Sequence, residues 1–334
     1  MKEFKVVSKT FIKSKNSISK ILLNYTLSLL MFIILIIIYN LIKGNINLVL
    51  NLLLSLLVTT ISSIVFEYII NLISKEKDIK LIFTTDNIIP ISLILGLFTP
   101  NINIIITIIS VLITLIIRKL YKGINISSTL YGILFILLYK YYKFDLVTPL
   151  INLKNLNYIG TYEEIIKSNG SLLTYILGSH YLSPLISIIS FIYLFIKKSI
   201  KYNLFISYIL TISIMLLIVG IFNNMNIWYL FFHITTGSLL FLSVYCLTDY
   251  RITPQTSEGQ ILYGIILGII TTILRFIIPE LSVIISLIIG PLILTKIIEK
   301  LSPKLKYNQK TNIIYLTSSI IIALITTTII TIII

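Results

Sequence analysis

The chain has 334 residues, of which 57% are hydrophobic and 12% charged, with a mean hydropathy of +1.02. A soluble domain averages under half apolar with about a quarter of its residues charged, so this chain has too few charges to cover a water-facing exterior. The net charge of +15 sits in alternate loops rather than in one aromatic-interleaved patch, which argues against nucleic acid, and the single Cys246 excludes an intrachain disulfide or a Cys-cluster metal or iron–sulfur site.

A helix needs about 20 mostly apolar residues to cross the hydrocarbon. In chain order the apolar windows are 21–43, 46–74, 82–98, 101–118, 126–141, 181–197, 203–222, 227–248, 259–278, 280–297 and 311–334. The first follows a basic segment, 1–20, is too long for a signal-peptide core and has no small-residue cleavage site behind it, so it reads as a retained span. The third and fifth are short or polar at one end, as broken or half-inserted helices are. The expectation is an all-α polytopic membrane protein of ten to eleven transmembrane helices. Its organisation reads as a basic cytoplasmic segment (1–20), a first membrane half (21–141), an outer loop (142–180), a second half (181–297), and a basic linker with an extra C-terminal span (298–334).

Basic residues orient these spans. Lys2, Lys5, Lys9, Lys13, Lys15 and Lys20 precede the first, and clusters at 75–80, 118–122, 197–201 and 296–310 follow the second, fourth, sixth and tenth. The N-terminus is therefore expected in the cytoplasm and the 142–180 loop outside. A faint repeat accompanies the pattern: "PISLILGLFTPN" (90–101) and "GSLLFLSVYCLTDY" (237–250) both run from a small polar start to a Thr with Pro or Asp. They lie five spans apart, and an odd offset inverts the two halves in the membrane, as in many transport proteins.

No Gly-rich phosphate loop, zinc spacing or nucleophile elbow occurs. His180 and His233 admit a haem pair, but a loop histidine and a helix-bridging one are the favoured reading. Ionisable groups at membrane depth suggest function by default. Glu67, two-thirds along the second window, and Asp86, at the start of the third, are ion-pathway candidates in the cytoplasmic half. The competing reading pairs them with Lys75 or Lys80. Arg275 and Glu280 read as an outer-rim pair. In "TDYRITPQTSEGQILYG" (248–264), Thr253-Pro254 breaks a helix and Ser257-Glu258-Gly259 starts another. That turn reads either as a well-capped loop or as a helix terminus lining an inner-leaflet polar cavity.

The segment "FHITTGSLLFLSVYCLTDYRITPQTSEGQILYGIILGIITTILRFIIPELSVIISLIIGPLI" resembles the C-terminal half of one family. It comprises the D subunit of Rnf-type ferredoxin:NAD oxidoreductases and the B subunit of the sodium-translocating NADH:quinone reductase. The likeness rests on Thr248-Asp249, Thr253-Pro254, Gly259, Gly264, Arg275, Pro279-Glu280 and Pro291, on "FEYIINLISKEK" and "ISLILGLFTPN" upstream, and covers roughly 8–300. It implies FMN joined by a phosphoester to a Thr hydroxyl in the outer loop. "DLVTPLINLK" keeps the Thr-Pro-Leu there, making Thr148 the candidate. Asp145, Leu146 and Val147 replace the usual Ser/Thr and small Gly-Ala pair, the upstream acidic position is Tyr142, and "NISSTLYG" stands where the family has Asn-Pro-Ala. Plain turn chemistry, a Thr before Pro, is the alternative for Thr148.

The resemblance implies a subunit of a bacterial inner-membrane electron-transport complex, relaying electrons through covalent FMN and a second, non-covalent flavin, and coupling them to Na+ or H+ movement. Other membrane and peripheral subunits and a flavin transferase would be its partners. The alternative is a diverged, flavin-free paralogue acting as a transporter or membrane scaffold.

Overall fold

The computed structural model describes residues 18–73, 88–100, 102–120, 126–143, 182–222, 228–235, 238–250, 253–278, 281–298, 300 and 309–333. All regular structure among them is helical. Ile-rich sequence would favour strands in water, but in lipid each backbone N–H and C=O must be satisfied within its own segment, which selects helix.

The helices are α1 (Ile18–Ile42), α2 (Ile46–Ile73), α3 (Ile88–Phe98), α4 (Ile104–Leu120) and α5 (Thr129–Lys143), the last preceded by a 3-10 turn at Ile126–Ser128. Then come α6 (Pro184–Ile196), α7 (Tyr202–Phe222), α8 (Trp228–Thr235) and α9 (Leu239–Leu242), which continues as a π turn over Ser243–Leu247. The remainder is α10 (Ser257–Ile277), α11 (Ser282–Ile289), with a π turn at Gly290–Leu294, and α12 (Gln309–Ile333). Pro291 lies in that second π turn, where the missing N–H breaks the regular ladder.

Each of the eleven apolar windows holds helix. Among the described residues four helices (α1, α2, α7 and α10) are long and apolar enough to cross a membrane, and α8 with α9, bent by 52°, adds a fifth. The other windows hold shorter apolar helices. α3 has 11 residues. The eighth window is broken rather than continuous.

α3 and the segment 239–249 form the centre. Every α3 residue but Ile89 is buried, as is every residue from Leu239 to Asp249. A helix apolar all round belongs inside. Phe241 packs on Phe32 (5.0 Å between ring centroids), Phe98 (6.0 Å) and Tyr245 (4.9 Å), tying α1, α3 and α9 together. Around this centre α2 packs on α3 and α4, α4 on α5, α3 on α5, and α1 on α3. In the second half α7 packs on the π turn and α10, α10 on α11, α9 on α11, and α6 on α9. α1 touches α6, and α5 touches α11. α12 lies along α7 and α10.

The closest packing uses small residues. Gly264 and Gly268 of α10 sit against Ser207 and Thr211 of α7; a Cβ on Gly264 would stand 2.8 Å from the Leu204 carbonyl oxygen. Such spacing lets two backbones approach where lipid offers no hydrophobic force between helices.

Candidate functional site

The polar groups converge at the end of the bundle where α1 begins. The π turn delivers Thr248 and Asp249 there, at 1% and 4% exposure. Asp249 Oδ2 accepts from Ser127 N at 3.0 Å and Ser127 Oγ at 3.1 Å. A second-half carboxylate therefore caps the helical start of α5 in the first half, satisfying an N–H that helix geometry leaves open. Thr129 Oγ1 donates to Ile126 O at 2.6 Å and lies 3.5 Å from Cys246 Sγ. With the Thr129 proton committed, Cys246 supplies the proton of that contact.

Tyr25 closes the site from α1. Thr248 Oγ1 donates to Val244 O at 2.5 Å, so Tyr25 OH, 2.8 Å from that oxygen, is the donor to it. Ser28 Oγ donates to Tyr245 OH at 3.0 Å, and Asn24 Nδ2 to Ser199 Oγ at 2.6 Å. One face of α1 thus reaches both the π turn and the α6–α7 connection. Between them lies a narrow cleft lined by Ile18, Ile21, Leu22, Tyr25, Ile126, Asp249 and Tyr250, of about 20 Å³. That is room for one water-sized guest. An isoalloxazine ring does not fit it.

The turn beyond Asp249 is held by capping. Thr253 Oγ1 donates to Asp249 O at 2.9 Å, and Thr256 Oγ1 accepts from Gly259 N at 3.2 Å as the N-cap of α10. The sequence reading of a helix break at Thr253-Pro254 and a start at Ser257 matches the turn and the Ser257–Ile277 helix.

Glu67 is buried on α2, at the end of a stripe with Ser55, Thr59 and Ser63 at four-residue spacing. Its carboxylate meets Arg118 Nη1 of α4 at 3.5 Å. Lys119 Nζ donates to Asn71 Oδ1 at 2.9 Å one turn away. The cation beside Glu67 is thus Arg118; Lys75 and Lys80 lie outside the described residues. So do Thr148 and Asp86, as well as His180 and Glu280.

At the opposite end, Arg275 Nε of α10 donates to His233 Nδ1 of α8 at 3.1 Å. This agrees with a helix-bridging role for His233, and the bond leaves the imidazole proton at Nε2. Arg275 is 1% exposed, near the C-terminal end of α10. Among the described residues no three His, Cys, Asp or Glu side chains gather as a metal site.

Sequence reasoning passed over Asp249, Ser127, Tyr25 and Lys201 as site residues. Asp249 stood out only as part of the Thr248-Asp249 pair in the resemblance. The signal that pointed here was the turn 248–264, one reading of which placed a polar cavity at this helix terminus.

A family model described as the NQR2, RnfD, RnfE family matches residues 5–304. No curated protein matches the chain.

Proposed function

The chain belongs to the NQR2, RnfD, RnfE family and is a multi-pass membrane subunit of an Rnf/Nqr-type complex; from that premise we propose that it relays electrons through flavin and couples their flow to Na+ or H+ movement. The observation that carries this is the family match across both halves of the chain. The other membrane and peripheral subunits bring the nicotinamide and iron–sulfur chemistry, for which this chain has no motif and only one cysteine.

The outer-loop Thr148 is the proposed attachment point of FMN, because only a hydroxyl makes the phosphoester and "TPL" keeps its place. When bound, FMN supplies one- and two-electron transfer, while the protein sets its position and surroundings. The inner-end cleft is too small for the second flavin. Its size and its carboxylate suit a water, a proton or one bare cation, so Asp249 joins Glu67 and Asp86 as an ion-pathway candidate. The short α3, the bent α8–α9 and the matching contacts of the two halves support an internal five-helix repeat, and the charge pattern supports ten or eleven crossings in inverted halves with the N-terminus inside.

The second reading is a flavin-free paralogue, and Leu146-Val147 favours it, since bulky residues there obstruct an attaching enzyme. In-gel fluorescence with the transferase co-expressed separates the two. The wild type should fluoresce, Thr148→Ala should be dark, and Leu146→Gly with Val147→Ala should brighten the band. A dark wild type and an equally dark restored loop sink the covalent flavin.

A further inference from the structure

Lysine is almost never buried unless it is paired, yet Lys201 is 8% exposed. Its Nζ lies 2.7 Å from Thr253 Oγ1, 2.9 Å from Thr253 O, 3.1 Å from Tyr250 O and 3.3 Å from Pro254 O. The Tyr250 ring faces it with the centroid at 4.8 Å, within cation–π range. An ammonium has three N–H groups, so among the described residues four oxygens surround three hydrogens. That is the surrounding of a cation among oxygen ligands rather than of a donor matched bond by bond.

Three of those oxygens are the backbone carbonyls of Tyr250, Thr253 and Pro254. Carbonyl dipoles aimed at a common point repel one another unless a positive charge sits there. Thr253 Oγ1 gives its proton to Asp249 O, which leaves its lone pairs for Lys201. We infer that the oxygens of Tyr250, Thr253 and Pro254 form a monovalent-cation site that the chain fills with its own ammonium, and that Lys201 is thereby a positioning residue for Asp249.

The chain is built to deliver that ammonium. α6 ends in a C-terminal reversal in which Ser199 N donates to Leu194 O and Lys198 N to Phe195 O, with Lys198 at φ 50°. Ser199 is held from the other side by Asn24. Lys201 follows on a connection fixed at two points, so it loses little further freedom on entering the cage. The route onward is short: Lys201 to Thr253, Thr253 to the Asp249 backbone, and the Asp249 carboxylate to Ser127. This inference stands whether or not Asp249 carries ions and whether or not flavin is bound.

Cys246 supplies the reporter, being the only cysteine in the chain, 3% exposed and three residues before Asp249. In the purified full chain its labelling by a maleimide measures opening of this turn. Lys201→Ala should label about tenfold faster or more, the expected result of losing charge-assisted bonds from a local structure. Added methylammonium chloride should slow it again, whereas choline chloride at equal concentration, with a head too large for the cage, should not. Lys201→Met keeps the stem without the charge, so it should label as fast as the alanine variant and resist rescue. Slow labelling of Lys201→Met overturns the inference, as does an acceleration in Lys201→Ala that the two salts treat alike. If the alanine variant does not accumulate, the methionine variant decides alone.

Discussion

Asp249 accepts two hydrogen bonds from a residue 122 positions earlier in the chain. Asp249→Ala would leave the buried Ser127 N–H without its acceptor, at a cost of about 1–3 kcal/mol. Asp249→Asn keeps one oxygen and should lose less in thermal unfolding of the purified chain; equal losses would mean that the charge, not the cap, is what the site needs. Glu67 poses a different question, because its Arg118 partner at 3.5 Å gives it a structural reason to exist. Glu67→Gln retains an oxygen toward Arg118, so the subunit should stay in the complex while ion transport per electron falls. Unchanged transport, or loss of the subunit from the membrane, would make the pair structural only. Glu67 was legible in the sequence as a carboxylate in an apolar run. Its partner was not, since α2 and α4 meet only through packing.

At the scale of elements, the α7–α10 contact rests on Gly264 and Gly268 fitting Ser207 and Thr211. Gly268→Val forces a side chain into Thr211 and should destabilise the chain by about 1–3 kcal/mol, as overpacking does. A thermal shift no larger than that of an exposed substitution would show that these helices separate freely. α12 behaves otherwise. It lies beyond the family match and covers the side of α7 and α10 that carries Met215, Ile265 and Ile269. Lipid is as apolar as those side chains, so removing α12 costs packing but no hydrophobic burial. A chain truncated after residue 304 should therefore still insert and keep a comparable melting temperature. Aggregation of that truncation in detergent would show that the core requires α12.

Over the whole molecule, each half repeats the other's contacts: α2 with α4 matches α7 with α10, and α4 with α5 matches α10 with α11, while α1 with α6 and α5 with α11 each join an element to its own counterpart. An internal repeat produces that correspondence, and the proposed orientation, with the N-terminus inside, rests on the charge pattern. Cysteines introduced at 155–170 should label from outside, and those at 302–310 should be protected. The reverse pattern would invert the topology and move Thr148 away from the outer face.

The sequence alone determined that the chain is a helical membrane protein, where its helices fall, and which family it joins. Those properties follow from local composition, because lipid demands self-satisfied backbone and loops carry the charge. Tertiary structure alone decided that the eighth window breaks at a 52° bend, that Arg275 bonds His233, and that Asp249, Ser127, Tyr25 and Lys201 share one junction. Each of these depends on distant segments meeting: a buried carboxylate or ammonium is affordable only where another element supplies its bonds, and no local pattern records which element that is.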